Sequence, residues 1–437
     1  MKILSCLCLI FILSSCSKSS SQIAPILDTR VFQFPATDIA DLHIYIKNSN
    51  QAKVLKHCIL ISNSDQACSL ETLPLLGMAV DQPIIDDVMQ RVVVSHDWMG
   101  KRFQEVLSKM PRETLTLLKA TTAIVIAKNI RPSYFSGITG AIYLDPAFLW
   151  LSNGEKTLVG KNKDYRADFI KPLQFNLTYR DLVNNNWAYP SYSLTGTEVR
   201  TIDNILIPIS HLLFHELGHA NDCVKTNNMA NISAQQSYYD LYVSQIDKHA
   251  CTSQLLKDRF PLSSNVWMSL GKVLYQGVAA TAEQIAMTAR EVGLAFNDDI
   301  AISFYSFSNA REATADAFDV LMLKKYFNVD RDLAVLQNHK SNTCGELIVA
   351  WGQRNRLAVP QVYERSLFVA KRFLPSVDFS ALQSSLPAPS DIPQGSSRCT
   401  LVYSQNSLSS QSVESTYDQT KLSKPNVIPR HNPIDFL

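Results

Sequence analysis

The stretch LLFHELGHAND, residues 212–222, sets two histidines four residues apart, with a glutamate directly after the first. On a helix, positions i and i+4 share a face, so His215 and His219 can aim both imidazoles at one ion. Glu216 lies about 100° round the axis. It stands beside such an ion rather than on it, where a carboxylate can take a proton from water. Imidazole nitrogen is a good zinc ligand, and a tetrahedral site with three protein ligands keeps a position for water. Zinc there polarises a carbonyl under attack and lowers the pKa of water toward neutrality. The bland alternative is a solvated helix turn. Against it, Leu212, Leu213, Phe214 and Leu217 make this helix apolar. A buried turn with two imidazoles and a carboxylate needs partners to offset desolvation, and a metal is one.

A third protein ligand is required. Three and six residues past His219 stand Asp222 and Lys225, so the three-histidine continuation is excluded. The better candidate lies in NAREATADAF (309–318), where Glu312 and Asp316 are four apart on an Ala-rich helical stretch. Glu312 can complete the ligand set, and Asp316 can accept the second ring N–H of a ligand histidine and fix its tautomer. Without a metal, Glu312 would serve as the far end of a capping box with Asn309, worth about 1 kcal/mol. Asp222 is the reserve ligand, and otherwise a polar residue near a helix end. Gly218, between the histidines, fits close helix packing. The strand AIYLD (141–145) is a candidate sheet edge for an extended peptide to pair with, or else an ordinary interior strand.

The set His215, Glu216, His219, Glu312 and Asp316 resembles the pattern of gluzincin metallopeptidases, the class that includes thermolysin: H-E-x-x-H, then E-x-x-x-D on a later helix. EATAD is also similar to the E-x-x-A-D of membrane-associated gluzincins. The resemblance covers two helices, and Arg311 replaces the asparagine that thermolysin-like enzymes carry before the glutamate. It implies a zincin-like fold, Zn2+ as cofactor, and hydrolysis of a peptide or protein substrate by water activated by Glu216. It also implies that Asp316 pairs with His215. A tyrosine just upstream stabilises the oxyanion in such enzymes, which makes Tyr305 the candidate, with His339 and Arg311 as rivals. Three functions stay open: a zinc peptidase, a zinc hydrolase of another cell-envelope amide bond, and a lipoprotein whose metal site is structural or inert. A base at Glu216 argues against the last.

The elements that must position these residues are of two kinds. Residues 31–190 contain short β-rich runs, namely DLHIYIK, VLKHCILIS, RVVVS, TAIVIA, AIYL and FNLTY, with a helical stretch at 101–119. The turn-rich 184–196 marks a boundary. Residues 191–375 read as helical, with the histidine stretch, 278–296, 310–327 and 360–374 as helices. The whole is α+β: a strand-containing first part of the catalytic unit, then a mainly helical zinc-binding part. Beyond Pro375, residues 376–437 are rich in Ser, Pro, Gln and Asn and read as a low-complexity tail.

The chain opens on one lysine and an apolar run from Ile3 to Leu13, a secretory signal too short for a comfortable membrane span. Its end, Leu13-Ser14-Ser15-Cys16, resembles the lipobox of bacterial lipoproteins. That resemblance implies removal of residues 1–15, lipid on Cys16, a flexible tether over 16–30, and attachment to the bilayer through the acylated cysteine. Ser17, rather than aspartate, follows the cysteine and makes the outer membrane the expected location. Of nine cysteines, Cys6, Cys8 and Cys16 belong to this segment, which leaves six. An even number in an exported chain points to disulfides, with Cys58–Cys68, Cys223–Cys251 and Cys344–Cys399 as the sequence-local pairing. The formal charge of +2 with 18% charged residues offers no basic field for nucleic acid.

Overall fold

The computed structural model describes residues 36–49, 51–161, 164–189, 197, 199–337 and 346–398. The signal segment, Cys16 and its tether, His339, Cys344, Cys399 and the end of the tail lie outside them.

The first sheet is built from His43–Ile44 (β1), Val92–Val94 (β2), Ile124–Ile126 (β3), Tyr134–Phe135 (β4) and Ile142–Leu144 (β5). VVV, IVI and IYL are fully buried, which suits the middle of a parallel sheet covered on both faces. β2, β3 and β5 pair in parallel, and β1 and β4 close the two edges antiparallel, in the order β1-β2-β3-β5-β4. Side-chain alternation then divides the sheet. Val92, Val94, Ile124 and Ile142 face a core shared with Phe103, Ile205, Ile209 and Phe318. Val93, Val125 and Tyr143 face a second core with Leu55 and Cys58.

The second sheet is antiparallel throughout. Asn176–Val183 (β6) and Asn186–Trp187 (β7) come from the first part of the chain. Asp330–Gln337 (β8), Ile348–Arg354 (β9) and Ser390–Asp391 (β10) come from the second. They run in the order β10-β9-β8-β6-β7, so the two parts share one sheet. Its aromatic core includes Trp267, Phe296, Phe304 and Trp351.

Two helices bear the candidate site residues: the histidine helix, Ile202–Cys223, and the carboxylate helix, Ala310–Phe327. A Cβ at Gly218 would stand 2.8 Å from Ala315 Cα. The backbones therefore approach as closely as glycine permits, as the close-packing expectation for Gly218 holds. Adding a methyl there would force a shift of the kind that costs about 1–3 kcal/mol.

The α+β class holds, and several local expectations change. VLKHCILIS is mostly helix (Ala52–Cys58), because local apolar runs of that length suit either state. The stretch 101–119 splits into Asp97–Leu107 and Glu113–Leu118 around Pro111, and 278–296 splits into Ala282–Ala286 and Ala289–Asn297. The second part is not helical throughout: β8 and β9 are buried along most of their length and show no alternation to reveal them. Residues 376–398 belong to the fold, with Phe379 and Ile392 buried and Arg398 donating its backbone N–H to Leu347. Cys58–Cys68 and Cys223–Cys251 are disulfides, as expected. The pair Cys344–Cys399 falls outside the described residues. Among those residues, no helix is long and apolar enough to cross a membrane.

Candidate metal centre

The histidine helix starts at Thr201, whose hydroxyl accepts from the Asn204 N–H while Asn204 reaches back to the Thr201 N–H. From there Ile205, Ile209, Leu212, Leu213 and Leu217 are buried, and this fixes which face looks at the carboxylate helix. On that face His215 Nε2 and His219 Nε2 lie 3.0 and 3.1 Å from the same oxygen, Glu312 Oε2. The ligand-type atoms of all three residues lie within 4.8 Å of one another. Tetrahedral zinc with bonds of about 2.0 Å sets its ligand atoms about 3.3 Å apart. The donor set therefore fits zinc.

Glu312 follows Asn309, whose side chain accepts from the N–H groups of Arg311 and Glu312 at 2.9 and 3.1 Å. The cap is present, but the Glu312 carboxylate turns to the histidines instead of back to the cap. Burial opposes charge on Glu312, yet the positive field of His219 and the hydrogen bonds to His215 and His219 hold its pKa well below the usual carboxylate range. Its place in the first helical turn favours the anion as well.

The expected partner of His215 changes. His215 Nδ1 is 2.8 Å from Asp319 Oδ2, whereas Asp316 accepts from the hydroxyls of Ser303 and Ser306. Helix geometry explains the substitution. Four residues carry Asp316 about 40° past Glu312, while seven bring Asp319 back to within about 20° of it on the other side. Asp316 still acts locally: it holds the turn Phe304–Phe307, on which Tyr305 sits.

Asp319 also lies 3.4 Å from His211 Nε2, and Arg331 donates to Asp181 at 2.8 Å nearby. A buried polar chain thus runs from His215 into the second sheet through β6 and β8. Burial opposes it, but the charge and hydrogen bond of His211 bring the Asp319 carboxyl down to about 2. Sequence reasoning missed Asp319 and His211. His211 had a signal, since His211, His215 and His219 repeat every four residues. For His215, burial works against the proton, but hydrogen bonds to Asp319 and Glu312 raise its pKa well above the ordinary histidine value.

Glu216 is 3% exposed, and among the described residues its Oε2 has no hydrogen-bond partner. Burial pushes its pKa up, and the neighbouring His219 and His215 offset only part of this. A raised carboxylate beside the ligand cluster has the properties of a general base. Tyr305 is buried with its ring 5.9 Å from that of His215, and its hydroxyl oxygen accepts from Arg166 at 2.9 Å. Burial, and then the charge of Glu312, push the phenol well above its ordinary value, so it stays protonated and able to donate.

The remaining candidates sit elsewhere. Arg311 lies over the Tyr242 ring at 4.9 Å. His339 is outside the described residues. Asp222, the reserve ligand, is occupied otherwise here: its carboxylate accepts from the backbone N–H and the hydroxyl of Ser253, both at 2.7 Å. The strand AIYLD is interior, between β3 and β4, so β4 is the edge. Tyr134 of β4 stacks on Tyr143 at 4.4 Å and feels the charge of Glu216, which puts that edge beside the histidine helix.

Comparison with protein-family models, with curated proteins and with solved structures finds no match to this chain.

Proposed function

We propose that the chain is a zinc metallopeptidase of zincin-like design, with His215, His219 and Glu312 as metal ligands. The observation that carries this reading is the convergence of two imidazole nitrogens on one half-buried carboxylate oxygen, next to a buried glutamate with an oxygen that meets no partner among the described residues. Zinc, when bound, would polarise the scissile carbonyl and acidify water. The protein's own groups divide the remaining work. Asp319 accepts from His215 Nδ1, which orients the ring, so that Nε2 would face the metal once its hydrogen bond to Glu312 is given up. Glu216 takes the proton from the attacking water and passes it to the departing amine. Tyr305 donates to the carbonyl oxygen as it gains negative charge. The unpartnered Glu216 favours this reading over a structural site, which has no use for a base there. The proposal includes lipid on Cys16, supported by the Leu-Ser-Ser-Cys ending of the apolar run.

The test is metal analysis of the purified protein followed by digestion of a peptide library, with Glu216→Gln as the control. Turnover should fall by about 100-fold or more in the variant, with its zinc retained. Equal cleavage by both would remove Glu216 as the base.

A further inference from the structure

We propose that Arg166 is a positioning residue for this site: it holds the Tyr305 hydroxyl so that its proton points to the oxygen that becomes negative during attack. The inference rests on the peptidase reading. Arg166 lies in the short turn Tyr165–Asp168, far from both site helices in sequence, and no motif marks it. Asp164 caps that turn by accepting from the Arg166 N–H at 2.7 Å. The same carboxylate takes Nε at 3.0 Å and Nη2 at 2.7 Å. This fork leaves Nη1 to donate to the Tyr305 hydroxyl oxygen at 2.9 Å.

A phenol oxygen that accepts from a guanidinium keeps its own proton for donation, and the charge of the donor strengthens that second bond. Among the described residues, Tyr305 donates to no protein acceptor. Its ring is fixed from three sides. The His215 ring is 5.9 Å away, the Tyr275 ring 5.0 Å away, and Asp316 secures the turn through Ser303 and Ser306. The Arg166 charge also reaches Glu216, beside the histidines. Lysine cannot replace it, because one ammonium cannot hold the Asp164 fork and meet Tyr305 with the same planar geometry.

The experiment compares wild type, Arg166→Lys, Tyr305→Phe and the double variant as zinc-loaded protein on the peptide library. Each single variant should lower kcat, Tyr305→Phe by about 100-fold and Arg166→Lys by about 10- to 100-fold, with KM and zinc content unchanged. The double variant should be no slower than Tyr305→Phe. A second readout needs neither metal nor activity. In metal-free protein labelled with 15N-arginine, Tyr305→Phe should shift the Arg166 guanidinium signal and speed its exchange. That arm decides the matter even where Arg166→Lys folds poorly. With an active wild type, multiplicative losses, a fully active Arg166→Lys or an unmoved guanidinium signal would overturn the positioning role alone. A wild type that holds zinc yet cleaves no library peptide would overturn the peptidase reading and this role with it.

Discussion

At its middle turn the histidine helix brings His215 and His219 against Glu312, and about a turn further on Asp222 and Cys223 meet Cys251 in a cluster of similar compactness. Both groups have ligand-type side chains, and residue type alone does not separate them. The partners do. In the second group the sulfurs are joined as Cys223–Cys251, and the Asp222 carboxylate is filled by the Ser253 N–H and hydroxyl. In the first, two ring nitrogens and a carboxylate oxygen converge, and the outer nitrogen of His215 is occupied by Asp319. Two imidazole nitrogens that share one carboxylate oxygen can exchange those hydrogen bonds for a common cation, whereas acceptors already filled by a serine or joined in a covalent bond cannot. The two groups also sit on different parts of one helix: the disulfide ties its end to the segment before Thr252–Arg259, and the turns before it hold the histidines against Glu312.

Several substitutions break or sharpen this contrast. The largest stability effect is expected at the closed cluster. Cys223→Ser with Cys251→Ser opens a loop whose ends are 28 residues apart, which should lower unfolding free energy by about 3–4 kcal/mol. Zinc at the histidines should survive in urea-free buffer, and a loss of zinc equal to that of a ligand variant would erase the distinction between the clusters. Next comes the support of His215. Asp319→Asn should weaken zinc affinity by about 10- to 100-fold, as measured by competition with a chelator. Asp316→Asn should leave that affinity close to wild type and act on turnover through the Tyr305 turn. A reversed order would restore the E-x-x-x-D pairing. Gly218→Ala should cost about 1–3 kcal/mol in chemical denaturation, because the methyl meets the Ala315 backbone; an unchanged midpoint would show that the helices have room to part. The smallest effect is at Asp222→Asn, which should leave zinc content unchanged.

What was legible in the sequence follows from the range of the interactions. The histidine helix, Glu312 on its own helix and two disulfides could be read, because spacing on one helix or parity of cysteines carries them. The central strands β2, β3 and β5 were likewise plain as short aliphatic runs. The exchange of Asp316 for Asp319 was not, since 40° against 20° of rotation is decided by how deeply two helices cross at Gly218 and Ala315. Arg166 was invisible for a different reason: it reaches Tyr305 across 139 positions of chain, through a turn with no periodicity. Strands β8 and β9 were hidden because both faces are covered, which removes the alternation that marks a half-buried strand.

The central claim is that Glu312, and not Asp222, completes the metal site with His215 and His219. Zinc per chain, measured by mass spectrometry on purified wild type, Glu312→Ala and Asp222→Asn, tests it most directly. Wild type and Asp222→Asn should each hold about one zinc, as three protein ligands predict, and Glu312→Ala should hold little. Full zinc in Glu312→Ala, with loss in Asp222→Asn, would contradict the account.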